Sequence, residues 1–211
     1  MTNKGNCMLL RRHGGFTLTE LIIVMAIMAV TVGAIYGVYI SSNHSYRTQD
    51  RVVAVQQTVR ASTDFMIREI RLAGLDPLSP AIDATDTNGA GIKEATSTKL
   101  RFTADMDMDG TIEQANEERI TYEYIAADRR IRRILYEGTP IASSNNLTEN
   151  ITAMTFSYLD TDGNTIPVPV AAADLDTIRT IVISITGQDV NSRGQTFTRT
   201  LTTRAICRNL Y

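Results

Sequence analysis

From Leu21 to Ile40 the chain reads LIIVMAIMAVTVGAIYGVYI, twenty residues without a charge and with Thr31 as the only clearly polar side chain. A helix of that length rises about 30 Å, enough to cross the hydrocarbon core of a bilayer. Polar residues enter after Ile40, yet helical periodicity persists. Val52, Val55, Val59, Met66, Ile70 and Ala73 recur at spacings near three and four, and the one longer gap is bridged by the small Ser62 and Thr63. Gly74 and then Asp76-Pro77 stop the pattern. It predicts one helix from Phe16 to about Ala73, roughly 87 Å long at the standard rise. The first half is apolar all round; the second carries an apolar stripe on which a soluble domain can pack.

Past residue 80 the period shortens. Thr98 to Ala104, Arg119 to Ala126, Ile131 to Tyr136, Ile151 to Leu159, Ile178 to Thr186 and Thr196 to Ile206 are rich in β-branched and aromatic residues with partial alternation. Turn-forming residues separate them at Ala127-Asp128, Asp160 to Asn164 and Asn191 to Gly194. No helix-length crossover lies between the last strands, so an antiparallel sheet is favoured. The class expected is α+β, one long helix against an antiparallel β-sheet.

Charge sharpens this division. The chain has 211 residues, 43% hydrophobic and 21% charged, with a formal charge of -2. That composition excludes collagen-like, disordered and disulfide-scaffold proteins. The charge argues against wholesale nucleic-acid binding, and Cys7 and Cys207 cannot build a multi-disulfide framework. Ahead of the apolar run, Lys4, Arg11 and Arg12 stand without an acidic residue, which keeps the amino terminus cytoplasmic and sends the rest outward. An ordinary secretory signal would be cut near Val32-Gly33-Ala34. Apolar residues continue past that point to Ile40, however, and the carboxylate of Glu20 lies at the start of the would-be signal core. An unpaired charge in lipid costs at least ~2.5 kcal/mol on insertion scales, so Glu20 either snorkels to the membrane edge or has a specific partner.

Gly14-Gly15-Phe16-Thr17-Leu18-Thr19-Glu20 and the apolar run after it resemble the class III signal of type IV prepilins and pseudopilins. The resemblance implies that a prepilin peptidase cuts after Gly15 and methylates the amino group of Phe16, and that the apolar helix is retained. It also implies the pilin fold. Its expected parts are a leader (1–15), a transmembrane and filament-core helix (16–40), an amphipathic continuation (41–75) and a β-rich extracytoplasmic head (76–211). Thr19 departs from the pattern, where an apolar residue is commoner. The Ser45-Tyr-Arg-Thr-Gln49 junction and the Ile70-Arg-Leu-Ala-Gly74 helix end, with acidic Asp-Gly loops in the head, are similar to PilW-like minor pilins.

In a filament of such subunits, the Glu20 carboxylate can neutralise the Phe16 ammonium of a neighbour in a low-dielectric helix bundle. Close packing there needs small residues, and Gly33-x-x-x-Gly37 with Ala26, Ala29 and Ala34 supplies them, although glycine is frequent in membrane helices generally. The partners implied are the prepilin peptidase, other minor pilins and the major pilin, and an inner-membrane platform driven by a cytoplasmic ATPase. A minor pseudopilin of type II secretion of the J-like kind shares signal and fold, and the presence of Glu20 argues against the tip-most K-like kind, which usually lacks it. A secreted calcium-binding β-domain released after Ala34 is a third reading, from another class.

Within the head, Asp105-Met-Asp107-Met-Asp109-Gly110-Thr-Ile-Glu113 places carboxylates at loop positions one, three, five and nine, a hard-oxygen set suited to Ca²⁺. The twelfth position is Asn116 rather than the bidentate glutamate, so a solvated acidic loop is the competing reading. Asp160-Thr-Asp162-Gly163-Asn164 reads as a hairpin turn. Arg129, Arg130, Arg132 and Arg133 lack aromatic interleaving, and pairing with Glu113, Glu117, Glu118 or Glu123 accounts for them better than nucleic acid does. Enzymatic chemistry has little to use: no nucleophile motif, phosphate loop or zinc spacing appears, His44 sits in the helix and Cys207 reads as a buried hydrophobe.

Overall fold

The computed structural model describes residues 15–78, 89–113, 116–190 and 194–210. The basic leader residues, Gly14 and Cys7 lie outside them. The chain divides into two compact units, residues 1–48 and 49–211, with one helix, α1 (Leu18–Ile70), contributing to both.

In the first unit α1 is the whole of the described structure. It is long and apolar enough to cross a membrane, and none of its apolar stretch is buried against protein. Thr31, the polar exception, donates its Oγ1 hydrogen to the Ile27 carbonyl at 2.8 Å, which satisfies it without a neighbour.

In the second unit the remainder of α1 buries Val55, Val59, Ser62, Thr63, Met66, Ile67 and Ile70. Ser62 and Thr63 fill the gap in the apolar stripe because their hydroxyls turn inward onto the carbonyls of Thr58 (2.9 Å) and Val59 (2.7 Å). The helix stops at Ile70, three residues before the expected end. Leu72 and Ala73 N–H bond back three residues to Glu69 and Ile70 (2.9 and 3.1 Å), so the last turn tightens. Gly74 follows at φ +79, its N–H on the Thr103 carbonyl.

The strands form two antiparallel sheets rather than one. The first is a meander of β1 (Gly91–Ala95), β2 (Lys99–Thr103), β3 (Arg119–Ile125), β4 (Arg130–Leu135) and β5 (Ser143–Thr148). The second has the order β7 (Thr165–Ile166), β6 (Ile151–Leu159), β8 (Thr180–Val190), β9 (Thr196–Ile206). The chain changes sheets at Asn150, which takes φ +61. All six expected strands are present. β1, β5 and β7 are not evident from the sequence; SSNNLT in β5 lacks alternation, has Thr148 as its one β-branched residue, and is ordered by its pairing with β4. β8 outruns its expected end because β9 pairs with it residue by residue to Val190. Of the expected turn from Asn191 to Gly194, only Gly194 is described.

The core joins the stripe of α1 to Phe102, Tyr122, Met154, Phe156, Tyr158, Ile181, Ile183 and Ile185. Two glycines set its closest approaches. A Cβ on Gly187 of β8 would stand 2.5 Å from a Val59 methyl, so this glycine lets the sheet meet α1. A Cβ on Gly74 would stand 2.4 Å from Leu210 and 3.0 Å from the Asn209 carbonyl oxygen. Gly74→Ala combines left-handed backbone strain with overpacking and is expected to destabilise the head by about 2–4 kcal/mol. Chemical denaturation of the full chain in detergent, followed by tyrosine fluorescence, measures the change.

Candidate functional site

The helix start is built from four residues. Gly15 and Phe16 precede α1 in an open segment; Phe16 is 88% exposed and nothing lies within 4 Å of a methyl placed on Gly15. Thr17 N–H and Thr17 Oγ1 both donate to the Glu20 carboxylate at 2.9 Å, and Glu20 N–H returns a bond to Thr17 Oγ1 at 3.3 Å. This is a capping box, with threonine as N-cap and glutamate at the third helical position. It satisfies two of the amide groups that a helix start leaves open, and it sets a carboxylate against the positive end of the helix dipole. Thr17-x-x-Glu20 carries that signal in sequence. Gly33 and Gly37 present an open notch, since no described atom comes within 4 Å of a Cβ at either.

The acidic loop between β2 and β3 converges as its spacing suggests: oxygens of Asp105, Asp107 and Asp109 lie within 4.8 Å of one another, and Glu113 is outside that group. Asp105 is fully buried and already occupied. Its Oδ1 accepts N–H bonds from Met108 (2.6 Å) and Asp109 (3.2 Å), and its Oδ2 accepts one from Gly110 (2.9 Å). Asp107 accepts from Asp109 N–H (3.2 Å) and Asn116 Nδ2 (2.6 Å), and Asp109 accepts from the N–H and hydroxyl of Thr111. Glu118, 1% exposed, spans the loop from Met106 N–H (3.1 Å) to Glu113 N–H (2.7 Å). The loop is thus held by carboxylates bonding to its own amides. Asp105→Ala strips a buried acceptor from three N–H groups and is expected to cost about 2–4 kcal/mol of head stability, read as a lowered unfolding midpoint.

The basic cluster is structural throughout. Arg132 pairs with Glu123 at 2.7 Å, Arg130 with Asp128, and Arg129 bonds Gln188. Arg133 alone points into the core. It grips Glu69 of α1 with two bonds (3.0 and 2.8 Å), reaches Glu117 at 2.5 Å, and lies 5.8 Å from the Phe65 ring centre. Tyr122 O–H bonds the same Glu69 oxygen. Burial, reinforced by the Glu69 charge, pushes the Tyr122 phenol well above its ordinary range, so it serves as a donor. Glu117 and Glu123 are therefore partners as expected. Glu118 and Glu113 instead belong to the acidic loop, and Glu69 was not foreseen because it lies 64 residues away.

Asp160 to Asn164 form the expected turn, with Asp160 accepting Asp162 and Asn164 N–H at 2.9 and 2.8 Å. Cys207 is buried just past β9, and burial pushes its thiol up to about 12 against the opposing charge of Arg179. The thiol stays protonated at neutral pH and is expected to resist iodoacetamide until the head unfolds, as mass spectrometry of the alkylated peptide can read.

Residues 10–36 match the family model of the prokaryotic N-terminal methylation motif, the type IV prepilin signal. That motif implies processing by prepilin peptidase and assembly with other pilins. No curated protein matches the chain. The long apolar helix and the antiparallel sheets beyond it form a pilin-like α+β architecture, and motif and helix together are consistent with membrane anchoring.

Proposed function

We propose that this chain is a minor pilin of the PilW-like kind, taking part in the priming or tip complex of a type IV pilus. The carrying observation is the methylation motif at residues 10–36, which runs into an apolar helix that no described protein surface covers. Prepilin peptidase hydrolyses the Gly15–Phe16 bond and methylates the freed amine. Water supplies the hydroxyl of the new Gly15 carboxylate, and a methyl donor gives up its methyl group to Phe16. The chain waits in the inner membrane with its head outside. Removing residues 1 to 15 takes three of 21 basic residues and none of 23 acidic ones, so the charge moves from -2 to -5.

Assembly then follows from two features of α1. Its apolar surface bundles with that of other subunits, with Gly33 and Gly37 permitting close approach. Glu20 exchanges its intrahelical bonds to Thr17 for the methylated Phe16 ammonium of a neighbour. Mass spectrometry of the mature amino terminus tests the reading: N-methyl-Phe16 supports it, and a chain starting at Ile35 refutes it. A J-like minor pseudopilin of type II secretion shares every feature named, and a deletion strain separates the two by loss of surface filaments or of exported enzyme. Calcium bound by Asp105, Asp107 and Asp109 is a secondary proposal, resting on their convergence, with Glu113, the fourth expected ligand, outside that group. A higher unfolding midpoint in millimolar calcium supports it, and an unchanged one refutes it.

A further inference from the structure

Most of the head's paired cations meet carboxylates, while Arg129 bonds Gln188 and Arg199 the Thr198 carbonyl. Arg51 meets Asp189 at 3.0 Å, Arg60 meets Asp64, Lys99 and Arg101 share Glu94 and Glu137, and Arg130, Arg132 and Arg133 are accounted for above. One place differs. At the end of the second sheet, Arg71, Arg179, Arg204 and Arg208 line a single open depression of about 470 Å³. The side chains of Arg71, Arg204 and Arg208 are exposed, and among the described residues their guanidinium groups make no hydrogen bond or ion pair.

The backbone explains how residues so far apart in sequence converge. Arg71 is the first residue after α1, and its carbonyl accepts a bond from Asn209 Nδ2 at 3.3 Å, which ties the segment after β9 to the helix end. β8 and β9 pair with Thr180 opposite Ile206 and Val182 opposite Arg204, and Cys207 N–H continues the ladder onto the Arg179 carbonyl at 3.0 Å. Arg179 is braced by bonds from its Nη1 to the Asp176 and Ile178 carbonyls (2.5 and 3.0 Å). The one carboxylate in the lining, Asp160, is engaged by its own turn: Asp162 and Asn164 N–H on Oδ1, and Asn164 Nδ2 on Oδ2 at 3.1 Å. Four arginines therefore line one volume with a single carboxylate among its lining residues, Asp160, whose oxygens are bonded within its own turn.

We propose that this depression is a binding site for a phosphate group. Guanidinium forks recognise oxyanions with paired N–H donors, and their charge is permanent. A carboxylate offers one charge and two oxygens, which one fork can saturate. A phosphate monoester or inorganic phosphate offers nearly two charges at neutral pH and three terminal oxygens, and so can take forks from several sides at once. Thr180, which also lines the depression, carries a neutral hydroxyl donor.

The test uses processed full-length protein in a nonionic detergent at constant ionic strength, titrated with inorganic phosphate by isothermal calorimetry and by thermal unfolding. Saturable one-site binding that raises the midpoint is the expected result. Arg204→Gln and Arg208→Gln are exposed substitutions whose folding is verified by an unchanged midpoint without phosphate. Each should weaken binding about tenfold, the scale of one charge-assisted contact, while Arg60→Gln, outside the depression, should not. Glycerol 3-phosphate distinguishes the sources: tighter binding than inorganic phosphate assigns an esterified phosphate such as a lipid headgroup, and weaker binding assigns the free ion. No saturable binding would overturn the site, as would equal binding to the arginine variants or an equal response to succinate.

Discussion

Glu20→Leu is expected to leave processing intact and to remove the chain from the filament. On the proposed reading the peptidase acts between Gly15 and Phe16, in an open segment that the substitution does not touch. In the bundle, the methylated amine of a neighbouring Phe16 would lose its counter-charge, and an unpaired buried charge costs about 3–5 kcal/mol. Incorporation should fall by at least about a hundredfold, as that energy dictates. The measurement is immunoblotting of sheared filaments beside mass spectrometry of the membrane-held pool. A normal filament content with N-methyl-Phe16 would refute the charge pair.

A control separates this role from the one visible in the isolated chain. Thr17→Val breaks the capping box, worth about 1 kcal/mol, while sparing the carboxylate. If Glu20 matters through a neighbour, Thr17→Val assembles normally. If both variants fail alike, the capping box is what assembly requires.

The second large effect is expected at Glu69. This carboxylate holds Arg133 twice and Tyr122 once, and the paired side chains are only 16% and 10% exposed. Glu69→Ala leaves a nearly buried guanidinium with Glu117 as its one remaining ionic partner, itself 60% exposed, and should cost about 3 kcal/mol. The double variant Glu69→Ala with Arg133→Met removes both charges and should recover much of that loss, because a well-packed apolar replacement of a buried pair is close to neutral. Denaturant midpoints of the four proteins complete the cycle. Equal losses in the single and double variants would show that Glu69 acts by packing alone.

Most of α1 was legible in sequence because its signals are local. An uncharged run declares itself within one span, and an apolar stripe declares itself within two helical turns, since covalent geometry alone sets which residues share a helix face. The same locality made six strands readable from alternation and the Asp160 turn readable from its residue types. It failed at β5, where polar residues form a strand only because β4 lies alongside, and at the helix end, where Gly74 turns toward Thr103 instead of capping α1 in place. The acidic loop shows an intermediate case. Spacing brought three aspartates together, but only the folded loop commits Asp105 to its own amides, with Glu118, just before β3, closing it.

By itself, then, the sequence determined the methylation signal, the apolar helix with its carboxylate at the start, and a β-rich domain following it, all of which depend on neighbours within a few residues. The tertiary structure decided the rest. It split the strands into two sheets, placed Gly187 against Val59, gave Arg133 to Glu69 and gathered four arginines from positions 71 to 208 around one depression. Strand register and the contact of sheet with helix join residues whose separation along the chain carries no information about their distance in space, and only the packed core selects one such pairing over the alternatives.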